Sequence, residues 1–540
     1  MIKSSVKSRM IKMTNIKYFW LVALFLAFTA CEDGKYDREI EPPVEVVSGD
    51  ADFSYMVSMG ASFVSGVSDG TLFIKSQENS FPNIMAQQMA LAGGGEFVQP
   101  LVDDNVGGLL FAGNVIAGPR LYFDGSGPVP VDGTPTTEVT NIIAGPFNNM
   151  GVPGAKSFHL VAEGYGNAAG VPLGRANPYF ARMASSPNAT VLADAASQNP
   201  TFFVLSEIAG NDVLGYAISG GTGVDQTGNP DPRTYGSNDI TDPGVFNQVL
   251  SLIVGTLTAN GAKGVMGNIP AVTDLPYFTT VPHDPLDPSN PDFGDLIPDL
   301  NTQLYGPLNA AYAFLGVPER SVVFSETAAS PVVIIDESLP NISAQLTQVL
   351  IGGGLDPLTA TLLGRQFGQS RQATEDDLLV LTSANVIGTL NEEHFAFLTS
   401  NGVPVADAGR LSVNGITYPL EDKWVLEGAE QAAIKTATDA YNASISAIAG
   451  QAGLGLVDTN SLLEELNSNG IASDGFVLTG DFVTGGAFSM DGIHLSARGY
   501  AVLANEFLKE IDDTFGSNFE AAGALVDIGD YPAFYPATLR

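Results

Sequence analysis

Two short stretches, far apart in the chain, hold residue types that could act together on an acyl group. The first is Gly60-Ala61-Ser62-Phe63-Val64-Ser65-Gly66 and the second is Asp491-Gly492-Ile493-His494. A serine hydroxyl is a weak nucleophile until a base takes its proton. His494 is the candidate base, and Asp491 is spaced to hold its Nδ1–H and fix the tautomer. Attack on an acyl carbonyl leaves a negative oxygen that needs donors aimed at it. The backbone N–H groups of Ser62 and Gly154 and the side-chain amide of Asn211 would supply them. A glycine at 154 would let the backbone approach a substrate without a Cβ in the way.

Ser68 is a rival nucleophile. Gly66-Val67-Ser68-Asp69-Gly70 fits the G-x-S-x-G elbow, which needs a strand running straight into the serine and a helix directly after it. Here the apolar run ends well before Ser68, and "TLFIKS" after it reads as β-rich, so Ser62 is preferred. The other histidines have plainer readings. His159 lies in an apolar run, and His394 reads as a helix-face residue. His283 sits among Asp284, Asp287, Asp292 and Asp295, yet no regular ligand spacing supports a metal there. There is no phosphate-binding G-x-x-x-x-G-K-[ST] loop and no cysteine pair for zinc. The Gly-rich 220–228 loop does not closely follow a strand. No cofactor or metal is expected.

The elements that must position these groups can be read from the hydrophobic pattern. "FSYMVSMG" and "TFFVLSEIAG" (201–210) read as buried parallel strands, as do "GAKGVMGNIP" (261–270) and "LGLVDTN" (454–460). Helical patterns lie between them: from residue 81, through "DPGVFNQVLSLIVGTLTAN", and over about 426–450. The last helix, "SARGYAVLANEFLKEI", has Ser496 as N-cap and an apolar stripe at Tyr500, Leu503, Ala504, Phe507, Leu508 and Ile511. Residues 93–150 read as elaborated surface loops. Strands alternating with helices predict an α/β fold, three layers α/β/α around a central, mostly parallel sheet.

With the motifs placed, a resemblance emerges. Gly60-Ala61-Ser62-Phe63-Val64-Ser65-Gly66, Asn149 to Gly154, Gly210-Asn211-Asp212 and Asp491-Gly-Ile-His494 occur in the order of the four blocks of the SGNH (GDSL-type) hydrolase superfamily. Ala61 stands where that family usually has Asp, and the first two blocks are more widely spaced than usual. The resemblance implies a flavodoxin-like sheet arrangement and a serine esterase or lipase acting on carboxylic esters. A carbohydrate O-acetyl esterase uses the same triad, and a non-catalytic ligand-binding lipoprotein could use the same scaffold.

Composition sets the surroundings. Residues 1–30 carry a basic start followed by "YFWLVALFLAFTA", which as a helix would span only about 20 Å, too short for a bilayer core. This reads as an export signal. Cys31, the single cysteine, directly follows "FTA" and resembles the acylated cysteine of the bacterial lipoprotein lipobox. The implied location is the cell envelope, as an outer-membrane lipoprotein in contact with the membrane through Cys31. Loss of residues 1–30 removes five positive charges and takes the formal charge from −36 to −41, which disfavours nucleic acid as a partner. The expected organisation is signal 1–30, tether 31–50, hydrolase core 51–275, an insertion or cap 276–415, and the rest of the core 416–540.

Overall fold

The computed structural model describes residues 44–539. The expected signal segment 1–30, the lipidation site Cys31 and the tether up to residue 43 lie outside the described residues. The end of the expected tether is fastened down: Val47 N donates to Asn518 Oδ1 at 2.8 Å and Asp50 N to Phe515 O at 2.7 Å.

Five parallel strands form the central sheet: β1 (Met56–Gly60), β2 (Asn149–Gly151), β3 (Phe202–Ser206), β4 (Lys263–Gly267) and β5 (Gly455–Val457). Their order is β5-β4-β3-β1-β2. Met56 lies opposite Phe202 and Gly60 opposite Ser206, while Ser58 pairs with Asn149 on the other side. The chain thus winds from β1 outward to β2, then crosses back to β3 and continues away to β4 and β5. Its direction reverses between β1 and β3, and the crevice at the carboxyl ends of two such strands is where open α/β sheets bind ligands. Ser62 follows one of these strands and Glu207 the other.

β1 and β3 are buried along their whole length, which is why both appear in the sequence as continuous apolar runs. Around the sheet are α1 (Ser62–Ser65), α2 (Phe81–Met89), α3 (Gly210–Ile218), α4 (Pro243–Thr258), α5 (Gly428–Ala452), α6 (Thr459–Ser468) and α7 (Ala497–Phe515). α2 packs on α7 through Phe81 and Phe507, ring centroids 5.0 Å apart, and α4 on α5 through Phe246 and Tyr441 at 4.8 Å. The apolar stripe of α7 is buried as its spacing predicts. Ser496 Oγ accepts from Gly499 N at 3.0 Å, a cap whose loss typically costs about 1 kcal/mol.

Three local expectations are corrected. The strand expected over 201–210 stops at Ser206, because Glu207 takes a left-handed φ of 55° and turns the chain. "TLFIKS" is not a strand: Thr71 makes only an isolated bridge to Ser68, and Ile74–Glu78 is helical, started by Ser76 Oγ accepting from Phe73 N at 3.1 Å. β-branched Thr71 and Ile74 suggested a strand, and this local bond outweighs that preference. The segment 93–150 holds the edge strand β2 and two small hairpins, Leu109–Phe111 with Asn114–Ala117 and Leu121–Phe123 with Pro128–Pro130. Strands of three or four residues are too short to show a period.

A second hydrophobic cluster runs from Val281 to Val425, separate from the sheet's core. It is built on helices Tyr305–Leu315, Ser343–Gly352 and Pro357–Phe367 and a two-stranded antiparallel sheet, Val333–Ile335 with Ser370–Gln372. No helix of the described residues is long and apolar enough to cross a membrane.

Candidate active site

Ser62 opens α1 directly after β1, and it is 4 % exposed. The turn is tight because β1 and β3 touch there: a Cβ on Gly60 would lie 2.0 Å from Ser206 O. α1 has no side-chain cap from Ala61, so its first N–H groups need acceptors from elsewhere. Glu207 supplies one. Its Oε2 accepts from Phe63 N at 2.7 Å, and its Oε1 accepts from Ser62 Oγ at 3.0 Å. Burial pushes the Glu207 carboxyl upward, opposed by the Phe63 N–H and by the charge of His494. A non-glycine residue at positive φ costs about 1–3 kcal/mol and persists only where its surroundings fix it. The two bonds to the α1 turn do that here.

His494 and Asp491 sit in the loop before α7. His494 Nδ1 is 2.8 Å from Asp491 Oδ2. Asp491 Oδ1 accepts from the N–H groups of Ile493 and His494 at 2.9 and 2.8 Å, and Oδ2 also accepts from Gly70 N at 2.7 Å. Burial alone would raise the Asp491 carboxyl. The charge and hydrogen bonds of His494 outweigh it and hold Asp491 well below the ordinary carboxylate range. An acceptor-only carboxylate beside Nδ1 fixes the proton there. For His494, burial works to lower the imidazole, but Asp491 and then Glu207 outweigh it, so its affinity for a proton is raised above the usual value.

The turn after α1 has a role that its elbow-like pattern does not suggest. Ser68 Oγ donates to Leu495 O at 3.1 Å, Asp69 N to Ser489 Oγ at 2.9 Å, and Met490 N to Asp69 Oδ1 at 3.0 Å. Together with Gly70 N on Asp491, these bonds fasten the histidine loop to the segment that carries Ser62. Burial pushes the Asp69 carboxyl up to about 7, with the Met490 N–H acting against it. Phe63 completes the join, its ring 5.8 Å from that of His494. No hydrogen bond links Ser62 to His494; the serine proton is directed at Glu207.

Gly154 and Asn211 are held beside each other. Asn211 Nδ2 donates to Ala155 O at 3.0 Å, and Asp212 accepts from Ser157 N and Oγ at 2.8 and 2.7 Å. The start of α3 thereby holds the loop after β2. Gly154 has φ 75° with nothing within 4 Å of where its Cβ would be, so the left-handed backbone is what demands glycine within the protein. The remaining histidines have structural partners or do not converge with ligands. His159 stacks on Tyr165 and accepts from Lys156 N, and burial pushes it down to about 4. His394 stacks on Tyr418 and bonds Ser412 Oγ. Among the described residues, no group of three or more His, Cys, Asp or Glu could hold a metal, the acidic stretch around His283 included.

Met490, Asp491, Ile493 and Tyr277 form part of the wall of a cleft of about 2000 Å³, otherwise lined mostly by residues 280–417, which hold the second cluster. Tyr277 N donates to Gly492 O at 2.9 Å and joins that cluster's lead-in to the histidine loop.

Glu207, Asp69 and Gly70 are the site residues that the sequence reading missed. The one signal for Glu207 was a lone charge inside an apolar run. Compared with known proteins, the chain matches no family model, no curated protein and no solved structure.

Proposed function

We propose that the protein is an exported, lipid-anchored serine esterase on an SGNH-type, three-layer α/β/α scaffold. Ser62 first turns its hydroxyl from Glu207 to His494 Nε2. As its Oγ bonds the acyl carbon, the proton passes to His494 and the carbonyl oxygen becomes an oxyanion. The Ser62 N–H, the Gly154 N–H and the Asn211 amide are the donors for that charge. The carbon–oxygen bond to the alcohol then breaks, His494 gives its proton to the leaving oxygen, and water releases the acyl group by the same steps. Asp491 orients His494 throughout and stays ionised. The observation that carries the reading is the His494–Asp491 pair at 2.8 Å, tied by Ser68, Asp69 and Gly70 to the turn that bears Ser62.

A second reading, a ligand-binding protein on the same scaffold, draws on the Ser62–Glu207 bond, which directs the serine proton away from His494. A fluorophosphonate label separates the two. The esterase is expected to form a covalent adduct on Ser62, absent from Ser62→Ala; a wild type that stays unlabelled beside a reactive control esterase would leave the binding reading. An anchor on Cys31 would place the protein in the outer membrane of the cell envelope, and Cys31→Ser should then shift it from the membrane to the soluble fraction.

A further inference from the structure

A second, smaller cavity of about 100 Å³ lies beside the nucleophile turn. Phe63 and Glu207 line it at the site, Ile493 and Leu495 flank His494 there, and Leu463 of α6 and Leu503 of α7 lie among the residues beyond. Apart from polar groups near the carboxyl ends of β3, β4 and β5, the lining is apolar side chains and glycine. The strand order separates this cavity from the Gly154 loop along the sheet. The loop follows β2, next to β1 on one edge, whereas the cavity spans the β3-β4-β5 ends.

The geometry points to this cavity as the acyl pocket, sized for a chain of about four carbons, with the alcohol part of the ester in the wide cleft; this rests on the esterase reading. A carbonyl carbon on Ser62 has its oxygen towards the Gly154 and Asn211 donors. Its leaving oxygen must face His494 to receive a proton, which directs the alcohol into the cleft bordered by Met490, Asp491 and Tyr277. The acyl chain takes the remaining direction, past Phe63. Ile493 lines both spaces and divides them. An apolar cavity of about 150 Å³ takes benzene, with six carbons, so about 100 Å³ takes roughly four. The substrate class is therefore a short-chain acyl ester of a bulky, apolar alcohol.

The test is a p-nitrophenyl ester series (acetate, butyrate, octanoate, palmitate) with the full chain. kcat/KM should rise about tenfold from acetate to butyrate as two more methylenes are buried, and fall about tenfold or more from butyrate to octanoate. Leu463→Phe, which narrows the cavity, should bring the butyrate-to-acetate ratio towards one. Leu503→Ala, which widens it, should raise octanoate relative to butyrate severalfold. Ratios within each variant are the readout, and the widening variant stands if the narrowing one does not fold. Octanoate hydrolysed as fast as butyrate, or ratios unmoved in the folded variants, would overturn the pocket while leaving the esterase intact. No hydrolysis of any ester together with an unlabelled Ser62 would remove the esterase reading, and the pocket with it.

Discussion

Glu207 bonds Ser62, the proposed nucleophile, caps α1 in place of Ala61 and faces His494 electrostatically. Its charge is one of the causes that raise the His494 imidazole. A general base works only when unprotonated, so a raised imidazole moves the acid limb of the rate profile to higher pH. Glu207→Gln keeps an oxygen for Phe63 N and removes the charge, so His494 loses its proton more readily. The expected result is an acid limb of kcat/KM shifted to lower pH, with a fold as stable as the wild type. Glu207→Ala differs: it leaves the Phe63 N–H without its acceptor and should lower stability by about 1–3 kcal/mol in denaturant unfolding. An acid limb unmoved in Glu207→Gln would show that the carboxylate acts only as a cap.

At the scale of elements, the turn after α1 is the part whose pattern misleads most. Ser68 has the G-x-S-x-G pattern of an elbow nucleophile, yet its hydroxyl is spent on Leu495 O. Ser68→Ala should keep fluorophosphonate labelling at Ser62 and lower the midpoint of thermal unfolding by about 1 °C, as loss of about 1 kcal/mol would do in a chain of this length. A label lost in Ser68→Ala but kept in Ser62→Ala would reverse the assignment. The strands β1 and β3 and the helix α7 were legible because burial writes them as continuous or 3.6-periodic apolar runs. β2 was not, since a three-residue edge strand buries too little to leave a pattern. Asp491 and His494 could be paired from their spacing. Glu207 could not be assigned, because its place depends on a left-handed φ and on partners 144 and 145 residues away. The second cluster was visible as extra chain length, but its helices carry no chemistry that marks a ligand.

At the scale of the whole molecule, charge should select among substrates that the cleft would otherwise admit. The chain carries a formal charge of −36. The charged residues lining the wide cleft are Asp287, Asp292, Asp299, Asp407 and Asp491, with Arg410 the one cationic residue among them. An apolar cleft whose lining charges are mostly negative repels anionic alcohol parts and accepts neutral ones, and a low-dielectric wall concentrates that field. The repulsion is screened within about 10 Å at 0.1 M salt, so it must weaken as salt rises. Two butyrate esters of equal size, one with a neutral alcohol and one bearing a carboxylate, make the measurement. At about 20 mM salt the neutral ester should be favoured in kcat/KM by roughly tenfold, and at about 500 mM that preference should fall severalfold, mainly because the anionic ester improves. A preference that stays constant across this range would mean that the acidic side chains of the cleft do not face the bound alcohol, and that the leaving group departs by another route.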